Sequence, residues 1–88
     1  MTMATQWDLW VDYHRTDGEG LTHTRLKDLE RPLDLRPGMF VIVGNEEADP
    51  AVAEVAAVEP DGLVLVRVLP GPVGEHLALV EHRRSTAG

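Results

Sequence analysis

The chain has 88 residues, 43% of them hydrophobic, no cysteine and a formal net charge of −7. A length of this order closes one core and hides somewhat over ~60% of the surface of the unfolded chain, and without cysteine neither disulfides nor thiolate metal sites can reinforce that core. Residues 37–81 set eight acids against Arg67 alone, a field that repels phosphate backbones and makes nucleic acid a poor default partner.

The run "WDLWVDYHR", Trp7 to Arg15, alternates with the period of a strand. Trp7, Leu9, Val11 and Tyr13 fall on one face, and Asp8, Trp10, Asp12 and His14 on the other. "TDGEG" follows with two glycines and an Asp-Gly pair, residues that accept the positive φ of a tight reversal. "LTHTRL" then returns, so an N-terminal β-hairpin is predicted. In "KDLERPLDLRPG", Pro32 and Pro37 each remove a backbone donor and bias the preceding residue away from helix, which marks a connection. "MFVIV", Met39 to Val43 between Gly38 and Gly44, reads as a strand buried on both sides or curled in a barrel. "GNEEADP" reads as a polar, acidic loop.

Two readings compete for Pro50 to Glu59. Asp49 as a cap, Pro50 at the first helical position and four alanines favour a helix, giving an α+β protein. Three β-branched valines and the "PDG" turn before "LVLVRVL" favour a strand, with Asp61-Gly62 closing a hairpin onto Leu63 to Leu69. The strand is preferred because it supplies "LVLVRVL" with a neighbour. "PGPVG" is a further turn, and "EHLALVEH" a short last strand by its Leu77, Leu79 and Val80.

From Leu35 to Val80 the predicted order is Pro-Gly turn, apolar strand, long acidic loop, strand, Asp-Gly hairpin, strand, Pro-Gly turn and last strand. Carried by "LRPGMFVIV", "AEVAAVEPDGLVLVRVLPG" and "HLALV", this layout resembles the small five-stranded barrels of the Src-homology-3-like type. It is most similar to the KOW domains of transcription elongation factors and ribosomal proteins. The glycine of that family before the strand after the long loop is replaced here by Ala51 and Ala53, and the basic residues such domains present to RNA are largely missing. The resemblance implies a barrel more than it implies nucleic-acid binding.

No catalytic site is expected. The only serine, Ser85, lies in the C-terminal tail and the only lysine, Lys27, in a turn-like stretch, so neither makes a nucleophile with a partner base. The carboxylates of Glu46, Glu47 and Asp49 read as a solvated loop, without the ligand alternation of a calcium loop. With Thr16–Gly20 as the hairpin loop, His14 and His23 fall on opposite faces, and His76 and His82 show no metal spacing, so no zinc or other cofactor is implied. The glycine-rich "DGEG" and "PGPVG" stretches are turns rather than phosphate loops.

Trp10 is the exception to the bland pattern. Alternation sets it beside Asp8, Asp12 and His14, a large aromatic among charges, the composition of a binding hot spot; a barrel wall or second subunit over both faces would make it ordinary core. The expected architecture is all-β, a small Src-homology-3-like barrel with an N-terminal hairpin, over residues 7–82 as one domain with flexible ends at 1–6 and 83–88. The expected function is non-catalytic binding of a protein partner, or self-association, through Trp10, Asp8, Asp12 and His14 or an open strand edge. The alternative is an accessory domain of transcription or translation touching RNA through Arg15, Arg25, Arg31 and Arg36. Seven arginines to one lysine, with plentiful Ala, Val, Gly and Pro, suggest a GC-rich bacterial source. No apolar run approaches the ~18 residues of a membrane span, and "MTMATQ" lacks an export signal's form, so a cytoplasmic location is expected.

Overall fold

The computed structural model describes residues 7–81; the expected flexible ends, with Ser85 and His82, lie outside them. The chain is mostly β. Five strands, β1 (Leu9–Trp10), β2 (Thr22–Arg25), β3 (Phe40–Asn45), β4 (Ala48–Val58) and β5 (Leu63–Val68), form one mixed sheet in the order β1-β3-β4-β5-β2. β1 runs parallel to β3, and the remaining pairs are antiparallel.

The segment that the sequence left between helix and strand is extended. Val58 pairs with Val64 and Val55 with Val66, and the Asp61-Gly62 turn closes the hairpin as expected. Gly62 takes φ 93°, its amide donates to the Glu59 carbonyl at 3.0 Å, and the Leu63 amide donates to Asp61 Oδ1 at 3.0 Å. The β-branched valines decide the conformation because alternate ones enter one core: Val41, Val43, Ala53, Val55, Val64 and Val66 are buried together with Leu9, Val11 and Leu35. Register shifts in β4, between its pairing with Val43 and Asn45 on one side and at Val55/Ala57 on the other, bend the sheet around that core.

β3 and β4 are covered on their second face as well. Ile42 and Val52 pack with Val80, and Trp7, Phe40, Leu69 and Val73 close over them, which explains the unbroken apolar run at Met39 to Val43. Val80 belongs to a short helix, α1 (residues 77–81), where a last strand was expected. Leu, Ala and Glu are good helix formers, and of the apolar residues there only Val80 is buried while Leu77 and Leu79 are exposed. One buried contact suits a helical turn better than a period-two face.

The N-terminal hairpin does not form. Its two arms lie at opposite ends of the strand order. The Asp17 amide donates to the Leu21 carbonyl, so the reversal is present, but Thr16 and Thr22 make only an isolated bridge. Asp12 accepts the His14 amide at 3.0 Å and caps a 3₁₀ turn at Tyr13–Arg15, a local hydrogen bond that competes with the ladder. The acidic loop is likewise shorter than expected. Asn45 pairs with Ala48, leaving Glu46 and Glu47 as a two-residue turn, and Pro50, which lacks a ladder donor, sits in β4 at the irregular stretch.

Asp8 anchors β1. It is 1% exposed. Its Oδ1 accepts from Arg31 Nη1 at 2.9 Å and its Oδ2 from the Ile42 amide at 2.9 Å, while its own amide donates to the Ile42 carbonyl at 2.7 Å. Its placement on an exposed binding face is therefore corrected: the carboxylate is a buried clamp. Asp8→Ala is expected to lower stability by about 3 kcal/mol, since the Ile42 amide and a partly buried guanidinium lose their acceptor. Asp8→Asn, which can still accept the Ile42 amide, is expected to cost less. Urea unfolding measures both, and a loss below about 1 kcal/mol for the alanine variant would contradict this role.

Candidate functional site

Trp10 follows from the clamp two residues before it. It ends β1 half-buried, neither core nor fully exposed, and its Nε1 donates to Glu46 Oε1 at 3.0 Å. Asn45 fixes the turn carrying that glutamate: its Nδ2 donates to the Val11 carbonyl at 3.0 Å and its Oδ1 accepts the Glu47 amide at 2.9 Å. The indole hydrogen bond holds the Glu46 carboxyl below the ordinary glutamate range. Trp10, Asp12, Tyr13, His14, Glu46 and Glu47 line a groove of about 370 Å³. Burial raises the Tyr13 hydroxyl above the usual tyrosine range, so that wall stays neutral.

Three of the four expected binding residues, Trp10, Asp12 and His14, thus meet in one groove, and Asp8 does not. The groove also gathers Tyr13, Glu46 and Glu47, which sequence reasoning assigned to a core face and a solvated loop. The signal for the last two was the compact "NEEA" between extended runs, where Asn45 and Ala48 become a ladder pair.

The four arginines of the RNA reading separate. Arg31 is bound to Asp8, Arg36 donates through Nε and Nη2 to Asp34 Oδ2 at 3.1 and 2.8 Å, and Arg15 Nε lies 3.9 Å from Asp12. Arg15 and Arg25 share a second groove with His14 and His23. The two histidines therefore line the same groove rather than facing opposite ways, because the 3₁₀ turn replaces the predicted strand. His23 Nε2 donates to Asp17 Oδ2 at 2.9 Å, and His76 Nε2 donates to the Pro70 carbonyl at 2.7 Å. Among the described residues no group of three or more His, Asp or Glu side chains is placed to hold a metal. Lys27 stands exposed in a 3₁₀ turn at Leu26–Asp28. A wider concavity of about 770 Å³ is also bordered by Tyr13 and lined mainly by Pro50, Val68, Leu69, Pro72 and Val73.

No family model, curated protein or solved structure matches this chain.

The lowered Glu46 carboxyl carries a pH prediction. A depressed folded-state pKa means that the Trp10–Glu46 bond is fully present above the ordinary glutamate range and is lost as pH falls through the lower, folded-state value. Trp7→Phe supplies a single-tryptophan background, removing an indole N–H that has no hydrogen-bond partner among the described residues. There, Trp10 fluorescence should stay constant through the pH range in which ordinary glutamates protonate and change only below it. Glu46→Gln should abolish that transition, and a transition that persists in this variant excludes Glu46 as its source.

Proposed function

We propose that the chain is a non-catalytic protein-interaction module that receives a cationic segment of a protein partner in the Trp10 groove. The observation that carries this is the pinned indole of Trp10 flanked by the carboxylates of Asp12, Glu46 and Glu47. An aromatic face attracts a guanidinium or ammonium by about 0.5–2 kcal/mol, and each exposed ion pair adds about 0–1 kcal/mol. The groove is held in place by backbone and Asn45 hydrogen bonds, which limits the ordering cost of binding. The negative field of residues 37–81 steers a positive partner toward it.

The finer fold assignment, a Src-homology-3-like barrel of the KOW type, belongs to the same proposal. Its support is the antiparallel succession β3, β4, β5 on a curled five-stranded sheet. A cytoplasmic location is part of the reading too; among the described residues no helix is long and apolar enough to cross a membrane. The RNA alternative has less support, since Arg31 and Arg36 already face carboxylates.

Titration with an arginine- and lysine-bearing peptide should perturb Trp10 fluorescence saturably, with affinity falling as salt is added. Trp10→Ala should weaken binding at least tenfold, as expected of a central aromatic anchor. Sedimentation of the chain alone reports whether a second copy serves as the partner. A strict monomer whose Trp10 signal no cationic peptide moves would overturn the proposal.

A further inference from the structure

We infer that the groove between the Tyr13–Arg15 turn and β2 is a binding site for a small phosphate monoester. Along β2, Thr22 and Thr24 point into the protein and are buried, so His23 and Arg25 project together from the outer face. The 3₁₀ turn lies beside that strand and adds His14 and Arg15, the four side chains lining a concavity of about 460 Å³. The Thr16 and Thr22 hydroxyls, 2.8 Å apart, tie the turn to the strand.

The concentration of positive groups is what sets this place apart in a chain of net charge −7. Elsewhere Arg31 is paired with Asp8 and Arg36 with Asp34, and Arg67 stands across the ladder from Glu54. The opposing groups are Asp17, which accepts from His23, and Asp12, which is 3.9 Å from Arg15 and 3.3 Å from His14 Nδ1. Across β2, the ladder partners of His23 and Arg25 are the uncharged Leu65 and Leu63. Further along the ladder Arg67 stands opposite Glu54. Two guanidiniums and two imidazoles thus face two carboxylates, and their N–H groups are the donors that phosphate oxygens accept.

Size and field select a compact ligand over a nucleic acid. A strand leaving the groove meets the exposed carboxylates of Glu19 beyond Asp17 and Asp61 beside Leu63, in addition to the acidic remainder of the chain. A single phosphate is held without entering that field.

The test follows the His14 and His23 imidazole resonances while inorganic phosphate, a nucleoside monophosphate or an oligoribonucleotide is added at constant ionic strength in chloride. Saturable shifts are expected with the two small phosphates. Arg15→Ala and Arg25→Ala, both exposed positions, should each weaken binding up to about fivefold, the worth of one exposed charge pair. Arg67→Ala, with the same change in net charge, should leave it unchanged. Shifts that follow ionic strength alone, an equal loss in Arg67→Ala, or an oligoribonucleotide that binds more tightly than the monophosphate with a salt dependence of several phosphates would each overturn the inference.

Discussion

A two-residue strand at a sheet edge is held here by a carboxylate. β1 contributes only Leu9 and Trp10 to the ladder with β3, too few backbone hydrogen bonds to order a chain end against the entropy of fixing it. Asp8 extends the attachment in both directions, giving its amide to the Ile42 carbonyl and taking the Ile42 amide on its side chain. Its own carbonyl accepts the Glu30 amide, and Arg31, the next residue along that connection, neutralises the carboxylate. One aspartate thus joins the N-terminal segment, β3 and the connection before it. Such a buried charge is costly alone and tolerable only when paired and fully hydrogen-bonded. Leu9 and Val11 enter the core on the strength of this attachment, and Trp10 comes to the turn of Glu46 and Glu47.

The short turn at Tyr13–Arg15 then divides two surfaces of opposite character. On one side lie Trp10, Glu46 and Glu47, on the other His23 and Arg25, and His14 borders both. Had the segment continued as a strand, as its alternation suggests, Tyr13 would have paired with His23 and neither groove would exist. The Asp12 side chain capping that turn is therefore as consequential for the shape of both grooves as the residues that line them. Both are built on backbone that the sheet restrains, the Glu46-Glu47 turn by Asn45 and β2 by β5.

Much of the chain was legible in advance where local chemistry and burial agree. The valines from Val52 to Val58, the Asp61-Gly62 turn and Leu63 to Val68 demanded one another: apolar alternation needs a neighbour, and Gly62 supplies the positive φ that joins the arms. Gly44 shows what patterning cannot reveal. A Cβ there would lie 2.9 Å from the Trp7 ring, a close approach created only when the N-terminus folds over β3. The period-two pattern was real at Leu9 and Val11, which share one core, whereas Trp7 packs into the other; nor could it disclose that its partner was β3, some thirty residues away, rather than the strand just beyond the glycines.

What the residues determined by themselves was the β character of the second half, its main hairpin, the acidic field and the anomaly of Trp10 among charges, because each follows from side-chain alternation, turn chemistry or composition. Tertiary structure decided the burial of Asp8, the parallel seat of β1, the helical form of residues 77–81 and the meeting of Trp10 with Glu46. These depend on which distant groups come within hydrogen-bonding reach once the sheet curls, and a carboxylate's neighbour 34 positions along the chain leaves no trace in the spacing of the residues around it.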